Sequence, residues 1–322
     1  MGEVRIGISG WRYPPWRGVF YPPDLPQRRE LEYASRVLPT IEINGSFYSL
    51  QRPEFYAGWY DATPDGFVFA VKGGRYITHI LRLDNVLKPM ANFFASGILN
   101  LKDKLGPFLW QFPPNFRWDA ERFAAFLDLL PRDTEQALRL ARRRDARMRG
   151  RSRLAIDACR PLRHAVEIRH DSFRDEAFIA LLRRHGVALV VADTAGKWPL
   201  VEDLTADFVY IRLHGAEELY ASGYTDEALD RWAARIRAWS SGTQPEDAAC
   251  ISVKRPRSRR SRDVYCYFDN DIKVRAPFDA QRLMEKLGLL DRPPAPWHGD
   301  APSHVPPLRP WPFARNGRQR TP

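Results

Sequence analysis

The chain has 322 residues, of which 44% are hydrophobic and 12% aromatic, so it can build the core of one large globular domain. No apolar run approaches the roughly 20 residues that cross a bilayer, and we expect no membrane partner. Cys159, Cys250 and Cys266 are odd in number and lack metal-ligand spacing, and no signal-peptide pattern precedes the first predicted strand. These features predict a reduced, cytoplasmic protein.

The formal net charge is +11, and most of it is confined to three segments. Residues 132–163 contain eleven Arg against four acidic residues, residues 254–262 (KRPRSRRSR) contain six basic residues and no acid, and residues 291–322 contain five Arg against two Asp. The remainder of the chain is therefore slightly acidic. Basic runs of this kind are usually solvated, but they keep nucleic acid among the candidate partners.

Eight strand-like segments alternate with helical segments along the chain. The strands are predicted at 4–9, 40–44, 67–72, 107–112, 165–169, 188–193, 208–214 and 264–269. The helices are predicted at 31–37, 53–62, 89–101, 120–130, 175–185 and 226–240. Such alternation over about 250 residues favours an α/β fold of the TIM type, a closed (β/α)8 barrel. A doubly wound sheet is the alternative, but neither G-x-G-x-x-G nor G-x-x-x-x-G-K-[ST] follows a strand.

The same pattern predicts how the chain divides. We expect a single barrel domain over residues 1–290. Basic segments at about 132–153 and 241–262 interrupt the alternation, and we interpret them as insertions between barrel elements. Residues 291–322 are rich in Pro and Arg and are expected to form an irregular C-terminal tail.

Polar and charged side chains concentrate where the predicted strands end, which in this type of barrel is where functional groups lie. Because side chains alternate along a strand, Glu167 and Arg169 share one face while Val166 and Ile168 occupy the other. The candidate catalytic residues are Glu42, Glu167, His170, Asp193 and His214. The candidate substrate-binding residues are Trp11, Tyr13, Asn44, Tyr48, Lys72, Arg75, Gln111, Arg169, Arg212 and Asn270.

Six segments in chain order resemble the domain-of-unknown-function 72 family, also called YecE-like. They are 6–16 (IGISGWRYPPW), 42–48 (EINGSFY), 69–72 (FAVK), 111–116 (QFPPNF), 166–170 (VEIRH) and 212–215 (RLHG). The resemblance covers residues 4–285 and implies a TIM-type barrel with no established activity. It also implies a looser similarity to the metal-dependent endonuclease IV and xylose isomerase groups. Where the family usually reads Tyr-Phe-Asn-Asn-Asp in strand eight, this chain has Asp269 at the first Asn.

Three interpretations of the polar strand ends stay open. In the first, basic side chains hold a small anionic or sugar-like substrate that undergoes hydrolase or lyase chemistry. The general base is then a carboxylate, Glu42 or Glu167, and the general acid is a histidine, His170 or His214. In the second, these carboxylates and histidines bind a divalent metal, the cofactor being otherwise unknown. In the third, the charges form an ion-paired layer that closes the barrel.

The alternative function is of a different class. The basic insertions predict a nucleic-acid-binding barrel, either with metals in the manner of endonuclease IV or without them. Such a protein depends on phosphate contacts from the arginine runs, whereas an enzyme for a small anion depends on the strand ends.

Overall fold

A computed structural model describes residues 1–290, and its central feature is a closed barrel of eight parallel strands. The strands are β1 (Val4–Ser9), β2 (Thr40–Ile43), β3 (Val68–Lys72), β4 (Leu105–Gln111), β5 (His164–Glu167), β6 (Ala188–Asp193), β7 (Phe208–Leu213) and β8 (Asp263–Phe268). Each strand pairs with the next along the chain, and β8 pairs with β1 to close the sheet. The predicted TIM-type (β/α)8 barrel is confirmed.

Helices connect the strands on the outside of the barrel. They are α1 (Glu30–Val37), α2 (Gly45–Tyr48), α3 (Pro53–Ala62), α4 (Leu87–Ala95), α5 (Ala120–Leu129), α6 (Thr134–Ala141), α7 (Glu176–His185), α8 (Asp226–Ser240) and α9 (Ala276–Lys286). Several begin at a side-chain cap of the expected kind; Asp119, Asp175 and Thr225 each accept a hydrogen bond from a backbone N–H of the first turn.

One helical prediction needs correction, and one predicted insertion contains a helix. The helix predicted at 89–101 ends at Ala95, because Gly97 adopts a left-handed conformation with φ of 99° and a 3-10 segment, Ile98–Lys104, follows. The insertion predicted at 132–153 contains α6, which begins at the capping residue Asp133 and packs against α4. Because the segment is rich in arginine, the sequence did not indicate the short amphipathic helix that it contains. The tail predicted at 291–322 lies outside the described residues.

Strand alternation separates two cores. Val166 and Ile168 point outward into the large core between the barrel and its helices. Residues of the opposite parity point into the barrel and form a second core, in which Tyr210 and Tyr267 lie with ring centroids 5.1 Å apart. This inner core is apolar and aromatic up to those tyrosines, and the charged residues lie beyond it at the carboxyl ends of the strands. The alternation predicted for the fifth strand is confirmed.

The basic segment 254–262 runs along the outside of the barrel. It follows Ser252, whose Oγ accepts a hydrogen bond of 3.1 Å from Arg183 of α7. It ends at Arg262, which donates to the carbonyl oxygen of Gly242 just after α8. Because β8 begins at residue 263, the segment ends where the strands start, at the opposite end of the barrel from their carboxyl ends.

No helix within residues 1–290 combines the length and the apolar character that crossing a bilayer requires. The three cysteines are free thiols, with Cys159 and Cys250 exposed and Cys266 buried.

Candidate functional site

Arg212 is fully buried at the centre of what we call the mouth, meaning the carboxyl ends of the eight strands and the residues that directly follow them. Its Nη1 donates to Glu167 Oε2 at 2.8 Å. Its Nη2 donates to Glu42 Oε1 at 3.0 Å and to Asp269 Oδ2 at 2.7 Å. Ser9 Oγ lies 3.1 Å from the same Nη2 and donates to Glu42 at 2.5 Å. The ends of five strands thus meet in one charged layer.

The charged layer, which comprises Arg212, Glu42, Glu167 and Asp269, is held from below by the inner core. Tyr210, two residues before Arg212 on β7, donates to Glu42 Oε2 at 2.6 Å. A planar guanidinium can serve several carboxylates at once, and buried charges must be paired to offset their loss of hydration. The centre of the mouth therefore has the form of the ion-paired layer that was the third interpretation of the sequence.

The carboxyl groups around Arg212 differ in the direction in which their pKa values are shifted. Burial alone would raise the pKa of Glu167, yet Arg169 and Arg212 hold that pKa well below its ordinary value. Arg212 likewise outweighs burial at Asp269, and the pKa of Asp269 is lowered. At Asp271, burial and the neighbouring charge of Asp269 raise the pKa well above its ordinary value. The pKa values of neighbouring Asp269 and Asp271 are therefore shifted in opposite directions, so Asp271 takes up a proton more readily than Asp269 does.

Glu167→Gln is expected to lower the free energy of unfolding by about 3 kcal/mol at pH 7, because two buried guanidinium groups lose a charged partner. The pKa of Glu167 is lower in the folded chain, so its contribution is complete above the ordinary glutamate pKa of about 4.3 and declines as the pH falls below it. The difference between natural chain and variant should therefore shrink in acid. Guanidinium chloride unfolding between about pH 7 and pH 3 measures it.

The control for this experiment is Glu135→Gln, which removes a carboxylate from an exposed pair with Arg139 on α6. Its effect should be small at every pH. A loss of stability in Glu167→Gln that stays constant into acid would contradict the assigned role of Glu167.

Lys72 ends β3 and has a different environment from Arg212. Its residue is 8% exposed, and its Nζ lies 4.6 Å from the centroid of the Phe47 ring. Within residues 1–290 its ammonium group makes no hydrogen bond and no ion pair. Burial, followed by the charge of Arg212, lowers the pKa of Lys72 to about 8. Lys72 is therefore a buried cation whose neighbouring carboxylates contact Arg212 instead.

Arg169 forms the adjoining wall of the mouth. Its Nε donates to Glu167 Oε1 at 2.7 Å, and its Nη2 lies 3.3 Å from the hydroxyl of Tyr220. Its guanidinium carbon lies 3.8 Å from the centroid of the Trp198 ring, in a cation–π contact. One face of the Arg169 guanidinium is thus covered by the Trp198 ring, while Nε and Nη2 are directed to Glu167 and Tyr220.

His79 and Gln111 lie between these two cations. His79 belongs to a single π-helical turn, Tyr76–Ile80, of a kind often found at functional sites. Its Nε2 lies 3.4 Å from Gln111 Nε2, and its ring meets Phe47 edge-on at 5.0 Å. Burial, then Lys72 and Arg169, lower the pKa of His79 to about 4, so the ring is neutral at pH 7.

His214 and Asp193 are on the other side of Arg212. His214 Nδ1 lies 3.0 Å from Asp269 Oδ2, and burial together with Arg212 lowers the pKa of His214. Asp193 accepts a hydrogen bond of 3.1 Å from Tyr224, and burial raises its pKa. His214 therefore contacts the charged layer directly, through Asp269. The hydrogen-bond partner of Asp193 is Tyr224, which does not belong to that layer.

Other predicted residues lie at the edge of the site or outside it. His170 accepts from the backbone N–H of Ser172 at 3.0 Å and caps the short turn that follows β5. Trp11 packs edge-on against Trp59 at 5.3 Å in the outer core. Tyr48 is 70% exposed. For these three residues the contacts are those of a turn, of the core and of the surface.

The remaining substrate-binding candidates also differ in position. Asn44 donates to Ser9 Oγ at 2.9 Å, and Tyr13 donates to the Ser9 carbonyl oxygen, so both adjoin the charged layer. Asn270 is fully buried and donates at 2.9 Å to a carboxylate of α9, which indicates a structural contact. Arg75 is exposed above the mouth, close enough to His79 to lower its pKa.

The donor set does not favour the metal interpretation. Across the described part of the chain, no group of three or more His, Cys, Asp and Glu side chains is arranged to hold a metal ion. Glu42, Glu167 and Asp269 converge on the guanidinium of Arg212, which occupies the point where a cation would have to sit.

Several residues that shape the mouth are not among the predicted catalytic and substrate-binding residues: Ser9, Tyr210, Trp198, Asp269 and Asp271. The parity of β7 and β8 could have identified two of them. Tyr210 shares the face of Arg212 on β7, and Asp269 continues the inward face that includes Tyr267 on β8. Trp198 had no such signal, because it lies in a loop fixed by hydrogen bonds of its backbone to Thr194.

The fold and the polar mouth define the class of this protein, a TIM-type barrel with its candidate site at the strand carboxyl ends. The family described as "Protein of unknown function DUF72" matches residues 5–300. The chain therefore belongs to the DUF72 family, as the sequence resemblance predicted.

Relatives and solved structures agree with this membership. The chain is 23% identical over 256 residues to the UPF0759 protein YecE of Escherichia coli K12, covering 75% of this chain and 84% of YecE. It is 29% identical over 126 residues to the UPF0759 protein YunF of Bacillus subtilis, covering 38% of this chain and 44% of YunF. A DUF72 family protein of Thermotoga maritima superposes with a TM-score of 0.67 at 24% identity, over 89% of this chain and 99% of the other. A DUF72 family protein of Enterococcus faecalis gives 0.64 at 17% identity, over 90% and 97%. These similarities show a shared fold.

Proposed function

We propose that this protein is an enzyme that binds a small anionic substrate in the mouth, between Lys72 and Arg169, and carries out lyase or hydrolase chemistry on it. The observation that carries the proposal is the unpaired ammonium group of Lys72. Burying a charge without a partner is costly, and a group that serves only stability would have one. A substrate oxygen anion would provide that partner.

The charges around the mouth support an anion of low charge. Arg212, Arg169 and Lys72 are balanced in number by Glu42, Glu167 and Asp269, but all three carboxylates contact an arginine. The partner of Lys72 must therefore come from outside this set. Arg169, with its ring-backed guanidinium, offers a planar group that suits a carboxylate or a phosphate.

The polar groups around the two cations fit a small oxygen-rich molecule. Asn44 Oδ1 is buried and accepts no hydrogen bond from the described residues, so it can accept one from a substrate hydroxyl. Gln111 and the neutral His79 offer further hydrogen bonds between Lys72 and Arg169. This arrangement supports an anionic substrate that also has hydroxyl groups.

The assignment of acid and base changes from the sequence-based hypothesis. Glu167 is a weak base because its pKa is held low, and His214 is neutral and buried beside Arg212. Asp271 is better suited to donate a proton, since its pKa is raised. We therefore assign the charged layer to electrostatic support and the proton donor role to Asp271.

Inorganic phosphate is expected to raise the melting temperature of the natural chain and to lose this effect in Lys72→Met and in Arg169→Met.

Asp269→Asn should bind phosphate about tenfold more tightly at low salt, because a negative charge beside the site is removed while the side-chain oxygen of residue 269 can still accept a hydrogen bond from Arg212. Isothermal titration calorimetry on each variant measures these affinities.

Arg163→Met is the matched control, because Arg163 pairs with Asp263 at the start of β8, at the far end of the barrel. It should bind phosphate as the natural chain does. The proposal is wrong if neither phosphate nor small carboxylates bind, or if binding survives the combined loss of Lys72 and Arg169.

The alternative of a nucleic-acid-binding barrel receives less support from the position of the basic residues. Segment 254–262 lies on the outside of the barrel and ends where the strands start, so within the described residues it does not extend the basic surface of the mouth. Binding of DNA or RNA that falls steeply with salt, and that is lost when 254–262 is neutralised, would favour this alternative.

A further inference from the structure

We infer that Lys72 is a nucleophile that forms an imine with the carbonyl group of an aldehyde or ketone substrate. This inference rests on the proposed function, since the anionic group of the same substrate would be held by Arg169, and it narrows that function to carbonyl compounds bearing a carboxylate or phosphate. Two buried lysines, Lys72 at the end of β3 and Lys104 directly before β4, differ in their hydrogen-bond partners.

Lys104 shows how this chain satisfies a lysine that serves the fold. It lies directly before β4, near the strand starts, and its Nζ donates to the carbonyl oxygens of Tyr60 and Thr63 at 2.7 and 2.6 Å and to Thr63 Oγ1 at 3.2 Å. All three N–H groups of the ammonium have an acceptor. Lys72 is at the opposite end of β3 and has no acceptor in the described chain.

The backbone at Lys72 is held firmly, although its amine has no partner. Its carbonyl oxygen accepts a hydrogen bond of 2.7 Å from Ser46 Oγ. The next residue, Gly73, donates its N–H to the carbonyl oxygen of Leu109 at 2.8 Å and lies so close to the Trp110 ring that a Cβ there would clash at 2.3 Å. A side chain that starts from a fixed point and ends over the Phe47 ring has little freedom, which is the preorganisation that a nucleophile needs.

On balance the surroundings of Lys72 favour the uncharged amine. Burial has the largest effect in lowering its pKa and the charge of Arg212 adds to it, and together they outweigh Glu42, Asp269 and Glu167, which raise the pKa but contact Arg212 rather than Lys72. An uncharged lysine in a desolvated position is the form that attacks carbonyl carbon.

The reaction balances without any further reagent. The amine nitrogen bonds to the carbonyl carbon and gives a carbinolamine, and the carbinolamine loses its hydroxyl group, with one proton, as water. The products are one imine and one water for each amine and carbonyl consumed. When protonated, the imine nitrogen has the charge that the ammonium had, and it withdraws electrons from an adjacent bond that is to be broken.

Reductive trapping tests the inference directly. The full chain is incubated with pyruvate and sodium borohydride near neutral pH, and the product is analysed by intact mass and peptide mapping. We expect a single adduct on the peptide containing Lys72, formed about one hundredfold faster than on an exposed lysine, since its uncharged fraction is larger by roughly that factor. Lys72→Met should abolish it.

Lys197→Met is the control, because Lys197 is exposed beside the mouth, 5.3 Å from the same Trp198 ring that contacts Arg169. This variant should form the adduct as the natural chain does. Adducts spread equally over exposed lysines, or no adduct above the level of Lys72→Met, with pyruvate, glyoxylate and dihydroxyacetone alike, would overturn the inference.

The outcomes also separate the inference from the proposed function. If pyruvate and phosphate stabilise the chain through Arg169 but no carbonyl compound is trapped, Lys72 binds the anion without forming an imine, and only the inference fails. If neutral dihydroxyacetone is trapped at Lys72 as readily as pyruvate and Arg169→Met has no effect, the imine stands and the anionic substrate is wrong.

Discussion

Arg212→Met is expected to lower the free energy of unfolding by about 3–5 kcal/mol, the largest loss for any single replacement in the mouth. The guanidinium is the shared partner of Glu42, Glu167 and Asp269, and the first two of these carboxylates are fully buried. Without it they would keep their charges unpaired or take up protons. Urea unfolding followed by circular dichroism at pH 7 measures the loss.

A second measurement keeps this prediction testable if Arg212→Met does not fold at pH 7. Protonating the carboxylates removes the unpaired charges, so the variant should recover part of its stability near pH 4 relative to the natural chain. Arg163→Met is again the control, because its ion pairs with Asp207 and Asp263 are partly exposed and should contribute less than about 1 kcal/mol. A loss in Arg212→Met no larger than in this control would show that the charged layer is not held by Arg212.

Lys72→Met should have the opposite effect and stabilise the protein at pH 7, by up to about 3 kcal/mol. The pKa of Lys72 is lowered to about 8 in the folded chain, so keeping it charged below that pH costs stability. As the pH rises from 8 towards the ordinary lysine value, the folded chain releases its proton before the unfolded chain does, and the cost disappears. The gain in Lys72→Met should therefore vanish near the ordinary value of about 10.4.

Lys104→Met is the matched control, since it replaces a buried lysine whose ammonium has three acceptors. It should destabilise the protein, because the carbonyl oxygens of Tyr60 and Thr63 lose their donor. If Lys72→Met destabilises the protein to the same extent at pH 7, Lys72 contributes to the fold like Lys104, and the functional interpretation of its unpaired amine is wrong.

Much of the fold was predictable from the sequence because one physical pattern recurs. Segments such as Val4–Ser9 and Ala188–Asp193 have the apolar character of buried parallel strands, and helical periodicity separates them, so both strands were predicted with their observed bounds. Alternation also placed Glu167, and with it Glu42, Lys72 and Arg212, at the mouth. These predictions depended only on which face of a strand a residue occupies.

What could not be predicted depends on distances between strands that are far apart in the sequence. Glu42 was a candidate base, and only its contacts with Arg212 and Tyr210, 170 and 168 residues away, show that it is held in an ion pair and a hydrogen bond. The same applies to Lys72, whose lack of a partner follows from the carboxylates being engaged elsewhere. Trp198 reaches Arg169 from a loop, and loop conformation leaves no periodic signal.

The mouth thus contains an unpaired, preorganised Lys72 beside a charged layer whose carboxylates are all paired with Arg212. The most direct measurement is the pKa of Lys72 itself, obtained by nuclear magnetic resonance titration of the lysine side chains and assigned with Lys72→Met. We expect a pKa of about 8. A value at the ordinary 10.5 would mean that the amine is hydrated or paired, and would contradict both the proposed site and the imine chemistry.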